Sequence, residues 1–344
     1  MSELSPPAGL RVIGAAEVAK QVSTDRAGCL AAVRDAYLAH AAGTTVNPHS
    51  SFLRFPDRPR DRIISLPGFL DNGTTQRSGI KWIASYPGNT DHGFPRASAV
   101  QVLNDHETGY PYAVLEASII SATRTAASAV LGAEALLGGR TAGTVGFVGT
   151  GLIADHVRRF LRDLDWSIGQ FRLFDTVGEN AERFGQRLTE DGPAGTVTVV
   201  DDVAAAFAGA DLVVLATVAG TPHIHDLAVL DNAPVVLHLS LRDLAPELIL
   251  AATNVTDDVD HAVRERTSLH LAEQQTGDRA FVHGTISDVL RGDLVPPPGR
   301  ATIFSPFGLG VLDLAVAGWV HDRVRESGGG VVVPGFFDGV STDQ

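Results

Sequence analysis

The sequence predicts an α/β protein with two domains: a doubly wound parallel sheet and a β-rich domain completed by a C-terminal helix. From Thr144 onward, short apolar strands alternate with amphipathic helices, which is typical of a parallel sheet covered on both faces. Between Thr45 and Leu115, strand-like runs follow one another without helices between them. The 344 residues suffice for both domains, at roughly 100–200 residues each. The expected domains are residues 1–130 with 305–344, and residues 131–304.

The elements of the first domain follow from local periodicity. Apolar residues at helical spacing predict one helix over residues 17–43, ending at a glycine. The last two strands of the β-rich stretch form a predicted hairpin that turns at Thr108 and Gly109. An alanine-rich run at residues 118–137 predicts a long helix that links the domains. Residues 308–324 predict a helix that packs back on the first domain.

One strand of the first domain carries a charged residue in an apolar setting. In RSGIKWIASYPGN, residues 77–89, Ile80 and Trp82 alternate on one face of a strand that we interpret as buried, and Lys81 lies on the other. Such a strand has no structural use for an ammonium group. The chain is acidic, with 40 acidic against 27 basic residues and a net charge of −13. We therefore expect a cation in apolar surroundings to be placed for an anionic ligand.

The second domain begins with five apolar strands, and the turn after the first carries a nucleotide-binding pattern. Residues 149–154, GTGLIA, match Gly-x-Gly-x-x-Ala between a strand and a helix. Gly149 permits the tight turn, Gly151 lets the backbone approach a pyrophosphate, and the helix N-terminus supplies amides and a positive dipole. Asp175, at the end of the next strand, suits ribose hydroxyls and repels a 2′-phosphate, which favours NAD over NADP. The pattern predicts a Rossmann-type NAD-binding domain.

The predicted cofactor-binding residues of this domain lie at strand ends or at the start of the first helix. They are Gly149, Thr150, Gly151, Leu152, Ile153, Asp175, Thr217 and Ser240. Two alternatives stay open on the sequence alone. The turn can be a glycine-rich turn without a nucleotide, and Thr217 can be a strand-end hydroxyl without a ligand.

Three further polar residues stand where apolar neighbours normally exclude them: Arg54, Arg124 and Asp243. Each of these, like Lys81, has a structural explanation when taken alone. An arginine can form an ion pair, the lysine can reach solvent, and the aspartate can cap a turn. Around a nicotinamide, the set indicates an amino-acid-like substrate, because arginine binds carboxylates in bidentate fashion while lysine and aspartate exchange protons.

Composition and charge exclude several classes of function. The acidic balance argues against nucleic acid or an anionic membrane as a partner. No apolar run reaches the roughly 18–20 residues of a membrane span, and the first residues lack a secretory leader, so a cytoplasmic location is expected. His223, His225 and Asp226 have no further ligand at suitable spacing, so no metal is predicted. Cys29 is the single cysteine, forms no internal disulfide and is expected in the core.

Four segments together resemble the ornithine cyclodeaminase/mu-crystallin family: GIKWIASYPGN, VLNDHETGYPYAVLEASIISATRTAASA, GFVGTGLIA and TIFSPFGLGVLDLAV. The resemblance covers about residues 47–320. It implies a β-rich domain that binds substrate and forms a homodimer, and a Rossmann domain that binds the cofactor. It also implies roles for four residues. Lys81 is the active-site lysine, Asp243 is the catalytic aspartate, Arg54 binds a substrate carboxylate, and Arg124 contacts both substrate carboxylate and cofactor.

Three features depart from the cyclodeaminases proper and are similar to a branch of the family that makes 2,3-diaminopropionate. They are LSLRDLAPELIL in place of a Gly-Lys turn, Arg96 in FPRASAV, and the segment NVTDDVDHAVRERTSLHLAEQ. This resemblance implies NAD-dependent oxidation of N-(2-amino-2-carboxyethyl)-L-glutamate, followed by hydrolysis to 2-oxoglutarate and L-2,3-diaminopropionate for a siderophore or peptide. Arg96 then binds the third substrate carboxylate; the alternative is a surface arginine in a loop.

The sequence does not decide whether Lys81 or Asp243 is the catalytic base. A lysine near several arginines is expected to have a depressed pKa, which helps it to accept a proton. Rival interpretations are an ornithine cyclodeaminase, a ketimine reductase, an enzyme like alanine dehydrogenase, or a non-catalytic NAD(P)- or ligand-binding protein of the mu-crystallin type. Arg96 speaks against ornithine, whose distal ammonium it would repel. The presence of both Lys81 and Asp243, which can exchange protons, speaks against a mere binding protein.

Overall fold

The computed structural model describes residues 7–192 and 195–339 and divides into two compact units. The terminal unit contains the chain up to Arg124 and again from Leu309, and the central unit is Thr125–Gly308. Two parts of the expected first domain lie outside the described residues, namely residues 1–6 and 340–344. The prediction that the N-terminus lacks a leader therefore falls on residues that are not described. No helix in the described ranges is long and apolar enough to cross a membrane.

The chain begins with the strands and helices of the terminal unit and the long helix that leaves it. These are β1 (Gly9–Ile13), α1 (Ala15–Thr24), α2 (Arg26–Ala41), β2 (Thr45–Val46), β3 (Ser51–Phe55), β4 (Arg58–Asp71), β5 (Gln76–Ser85), β6 (Ala97–Asn104), β7 (Pro111–Glu116) and α3 (Ser118–Leu137). The hairpin of β6 and β7 and the helix α3 confirm the predictions for these segments. The single helix expected over residues 17–43 was wrong, because Asp25 interrupts it. Its non-helical backbone ends α1, and its carboxylate caps α2 by accepting the N–H of Gly28 at 2.8 Å.

The central unit alternates strands with helices. Its elements are β8 (Thr141–Val148), α4 (Leu152–Asp163), β9 (Ser167–Phe174), α5 (Gly178–Glu190), β10 (Thr196–Val199), α6 (Val203–Phe207), β11 (Leu212–Leu215), β12 (Val235–His238), α7 (Pro246–Ala251), β13 (Thr253–Thr256), α8 (Val259–Ala262), α9 (Ser268–Thr276), β14 (Val282–Thr285), α10 (Ile286–Arg291) and β15 (Thr302–Ser305). All strand pairs are parallel, in the order β10-β9-β8-β11-β12-β15-β13-β14. The predicted doubly wound sheet is confirmed. The strand order reverses between β8 and β11: β9 and β10 lie on one side of β8, and β11 and β12 lie on the other. Such folds bind ligands at this point of the sheet.

The chain returns to the terminal unit with α11 (Gly310–Glu326) and β16 (Val331–Pro334). The mostly antiparallel sheet of this unit has the order β16-β1-β7-β6-β5-β4-β2, with β3 also paired to β4. Helix α11 packs against β4, β5, β6 and α2. The C-terminal helix therefore completes the β-rich unit, as the sequence predicted.

The two faces of β5 differ in burial. Lys81 is 2% exposed, whereas Trp82 is 42% exposed. The strand was expected to be buried, but only the face that carries Lys81 is buried, because α11 covers it. The lysine thus points into the interior of the terminal unit.

Candidate active site

Lys81 belongs to a buried cluster of three charged residues in the terminal unit, with Asp313 and Arg124. Nζ of Lys81 donates to Oδ2 of Asp313 at 2.7 Å and to Oγ of Ser121 at 3.2 Å. Nε of Arg124 donates to the other carboxylate oxygen of Asp313 at 3.2 Å. The side chains of Lys81 and Asp313 are 2% and 0% exposed. Two cations thus share one carboxylate, and the cluster carries an excess positive charge that suits an anionic ligand.

Burial is the largest influence on the protonation of this cluster. The pKa of Lys81 is lowered from 10.5 to about 8, because burial and, less strongly, the charge of Arg124 outweigh the opposing effect of Asp313. The depressed pKa was expected, but we attributed it to arginines, and burial is the stronger cause. Burial raises the pKa of Asp313, yet Arg124 and Lys81 outweigh this effect and hold it below the usual value. Near neutral pH a fraction of Lys81 is therefore an uncharged amine that can accept a proton.

Asp313 is the site residue that the sequence analysis missed. It lies one turn into α11, in the run GVLDLAVAGW, where its neighbours are apolar and buried. An acidic residue in an otherwise apolar helix was the available signal, of the same kind that pointed to Lys81.

The structure places the two other arginines at the far end of β5. Arg54 lies opposite Arg62, which lies opposite Ser85, so the three side chains share the sheet face that carries Lys81. Nη1 of Arg96 donates to Oγ of Ser85 at 3.0 Å. Ser85 is four residues from Lys81, or roughly 13 Å along an extended strand. Arg54 and Arg96 are thus exposed cations on the same face, but they do not contact the Lys81 cluster.

The β8–α4 turn has the geometry of a dinucleotide-binding turn. Gly149 has a φ of 83°, and a Cβ there would lie 2.8 Å from the carbonyl oxygen of Ala216, so the turn requires glycine. Gly151 precedes α4, and a Cβ built on it meets no atom within 4 Å. The N-terminal amides of α4, at Leu152 and Ile153, follow directly. These residues fit the pyrophosphate of a dinucleotide.

Asp175 follows β9 and joins this turn. Its Oδ2 accepts the N–H of Thr150 at 2.8 Å and its hydroxyl at 2.9 Å, and its Oδ1 accepts the N–H of Val177 at 3.0 Å. Burial raises the pKa of Asp175, but these hydrogen bonds outweigh it and keep the pKa low. A fixed, ionised carboxylate at this strand end fits a ribose with free hydroxyls.

Asp243 is fully buried in a hydrogen-bond network of the central unit. Its Oδ1 accepts a hydrogen bond from the hydroxyl of Thr217 and lies 3.0 Å from Nε2 of His223. Its Oδ2 accepts from the hydroxyl of Ser240, and its backbone N–H donates to Nε2 of His238 at 3.2 Å, which places that ring 3.3 Å from Oδ2. Burial raises the pKa of Asp243, but the contacts with His238, Ser240 and Thr217 outweigh it and hold the pKa far below the usual value. The carboxylate is therefore a poor proton acceptor.

The structure thus brings the sequence-predicted residues into separate groups. Lys81 and Arg124 meet around Asp313 in the terminal unit, and Thr217 and Ser240 meet around Asp243 in the central unit. His223, which sequence analysis considered only as a metal ligand, joins the second group.

Comparison with known proteins identifies the family. The model of the ornithine cyclodeaminase/mu-crystallin family matches residues 11–328. N-((2S)-2-amino-2-carboxyethyl)-L-glutamate dehydrogenase from Staphylococcus aureus is 29% identical over 307 residues, which cover 86% of this chain and 89% of that protein.

Solved structures share the fold over nearly the whole chain. Δ(1)-pyrroline-2-carboxylate reductase from Thermococcus litoralis, in complex with NADH and L-proline, matches with a TM-score of 0.84 and 20% identity, over 94% of this chain and 100% of that one. An archaeal alanine dehydrogenase dimer with bound NAD matches with a TM-score of 0.82 and 24% identity, over 95% and 99%. These relatives are dehydrogenases and a reductase, in agreement with the predicted enzyme class. The chain belongs to the ornithine cyclodeaminase/mu-crystallin family, as its motifs predicted.

Proposed function

We propose that this protein is an NAD-dependent dehydrogenase that converts N-(2-amino-2-carboxyethyl)-L-glutamate into L-2,3-diaminopropionate and 2-oxoglutarate. One observation carries the choice of substrate: Arg54, Arg96 and Arg124 supply three cations in the unit that holds Lys81, and the substrate has three carboxylates. The relative from Staphylococcus aureus, which has this activity by name, supports the same choice.

NAD is the proposed cofactor because the β8–α4 turn and Asp175 fit a dinucleotide without a 2′-phosphate. When bound, it accepts a hydride from the α-carbon of the glutamate portion. Gly149, Gly151 and the first amides of α4 would hold the pyrophosphate, and Asp175 would accept hydrogen bonds from the ribose. Arg124, Thr217 and Ser240 remain proposed cofactor contacts.

Lys81 is the proposed base of the oxidation. With a pKa of about 8, its amine can take a proton from the secondary ammonium of the substrate and free the lone pair that forms the C=N bond. Asp313 stabilises the resulting lysine ammonium. Asp243 remains a proposed member of the catalytic machinery, but as an ionised partner for other groups because its pKa is so low.

We further propose a cytoplasmic homodimer that supplies 2,3-diaminopropionate to a siderophore or peptide. The exposed face of the terminal sheet supports self-association. Leu53, Trp82 and Val100 are 46%, 42% and 42% exposed, and strand register places them on one face.

The test is incubation of the purified protein with NAD and the synthetic secondary amine. We expect NADH, 2-oxoglutarate and 2,3-diaminopropionate in equal amounts, measured by absorbance and mass spectrometry. L-Alanine and L-ornithine serve as alternative substrates. NADH from alanine alone would favour an alanine dehydrogenase, and proline from ornithine without net NADH would favour a cyclodeaminase.

A further inference from the structure

The network around Asp243 has one exposed titratable member. The side chain of Asp243 is 0% exposed and that of His223 is 40% exposed. Both carboxylate oxygens already accept hydrogen bonds: Thr217 and His223 contact Oδ1, and Ser240 contacts Oδ2. A carboxylate that is fully buried behind these partners does not reach a substrate directly. The imidazole of His223 is the exposed group of this network, and an imidazole can both accept and donate a proton, so His223 can make the exchange.

The backbone fixes His223 beside the carboxylate. The N–H groups of His223 and Ile224 both donate to the carbonyl oxygen of Asp243 at 2.9 Å. Ile224 is buried and pairs with Leu244 in an isolated parallel bridge, and the N–H of Ala245 donates back to the carbonyl oxygen of Ile224 at 2.9 Å. The ring is therefore held on an ordered segment, although its edge is exposed.

The carboxylate also determines the tautomer of the ring. An ionised Asp243 only accepts hydrogen bonds, so Nε2 of His223, 3.0 Å from Oδ1, must carry the proton. The lone pair then lies on Nδ1, and no described residue forms a hydrogen bond with that nitrogen. This is the arrangement in which a buried aspartate orients a histidine so that its outer nitrogen acts as a base.

The pair adjoins the dinucleotide-binding turn within the central unit. A Cβ on Gly149 would lie 2.8 Å from the carbonyl oxygen of Ala216 and 3.0 Å from the nitrogen of Thr217. Thr217 in turn donates to Asp243. Thr217 thus contacts both the turn and Asp243, so the His223–Asp243 pair lies near the turn. The turn and Thr217 follow β8 and β11, where the strand order reverses.

We propose that His223 is the acid–base residue of the hydrolytic half of the reaction, oriented by Asp243; this inference rests on the proposed function. After hydride transfer the substrate is an iminium. Nδ1 of His223 takes one proton from the attacking water as its oxygen bonds to the iminium carbon, which leaves a neutral carbinolamine. The imidazolium then gives this proton to the amine nitrogen as the C–N bond breaks. The hydroxyl loses its proton to solvent, and 2-oxoglutarate and 2,3-diaminopropionate result.

The experiment separates the two halves of the reaction in the full-length protein. His223→Gln keeps an N–H donor for Asp243 but cannot carry a proton; His225→Gln, an exposed histidine of the same segment, is the matched control. In a single turnover we expect H223Q to form NADH near the wild-type rate while release of 2-oxoglutarate slows at least about 100-fold. H225Q should match the wild type in both steps. Release of 2-oxoglutarate by H223Q within a few-fold of the wild-type rate would overturn the inference.

A measurement without substrate tests the pair independently. Nitrogen-15 NMR of NAD-bound protein should show His223 with its proton on Nε2, and Asp243→Asn should abolish this preference, with NAD affinity as the check on folding. A proton on Nδ1, or a tautomer unchanged in D243N, would refute the pair. If the wild type forms no NADH from the amine, the proposed function and the hydrolytic role fail together, and NMR then decides only whether the pair exists.

Discussion

Lys81 and Asp313 are 232 positions apart in the chain, and their side chains form an ion pair of 2.7 Å that is almost fully buried. The pair joins a strand near the middle of the terminal sheet to the helix that closes over it. Removing one partner of such a pair leaves an uncompensated buried charge, which lowers the stability of the protein far more than the loss of a surface ion pair. Arg124 makes this cost larger, since it binds the same carboxylate.

Asp313→Asn should therefore destabilise the protein by about 3–5 kcal/mol, because two buried cations lose their counter-ion. Urea unfolding followed by circular dichroism measures the change. Asp322→Asn is the control, since it also breaks an ion pair to an arginine, Arg77, but one that is partly exposed. A loss in D313N no larger than in D322N would contradict the importance of the buried cluster.

The pH dependence of kcat should report Lys81. The base form is the neutral amine, so kcat should rise with pH and level off above about 8. In D313N the negative charge that raises the pKa of Lys81 is gone, so the midpoint should move to lower pH, while D322N should keep the wild-type midpoint. A midpoint that moves upward in D313N would have the wrong sign for this assignment.

Lys81→Ala should lower kcat at least about 100-fold, because it removes the proposed base. NAD affinity, measured by calorimetry, should stay unchanged because the dinucleotide-binding turn is part of the central unit. Lys20→Ala, at an exposed position of α1, is the matched control and should be fully active. Wild-type turnover in K81A would remove this lysine from the mechanism.

Arg96→Gln should act on substrate binding rather than on chemistry. We expect the KM for the tricarboxylate amine to rise about 10- to 100-fold, which corresponds to the loss of a charged hydrogen-bonded contact. The kcat should change little. Arg34→Gln, an exposed arginine on α2, is the control. If R96Q leaves the KM unchanged, Arg96 is an ordinary surface arginine.

Asp175→Ser should weaken the preference for NAD. It removes the carboxylate that accepts hydrogen bonds from the ribose and repels a 2′-phosphate, so the KM for NAD should rise about 10-fold and that for NADP should fall. Initial rates with both coenzymes measure the effect, with the exposed Asp201→Ser as the control. An unchanged ratio of the two KM values would show that Asp175 only anchors Thr150.

The structure also shows which features could be predicted from the sequence and which could not. Local sequence patterns correctly predicted the Gly149 turn, the central strands and α3. The short, buried strand β13, with the sequence TNVT, has no apolar pattern and was missed. Alternation in β5 defined two faces, but only α11, far along the chain, determines that the face of Lys81 is covered. Asp313 carries a local signal, an acidic residue in an apolar helix, but only the fold shows that its partner is Lys81.

Helix α11 has a consequence for how the protein is made. The central unit is complete at Gly308, but β5 and β6 in the middle of the terminal sheet stay uncovered until the ribosome has added α11. Until then the nascent chain exposes an apolar sheet face, with Lys81 lacking its counter-ion. Such half-finished species are prone to aggregate. The terminal unit therefore completes its fold only when α11 docks on strands that precede the whole central unit in the chain.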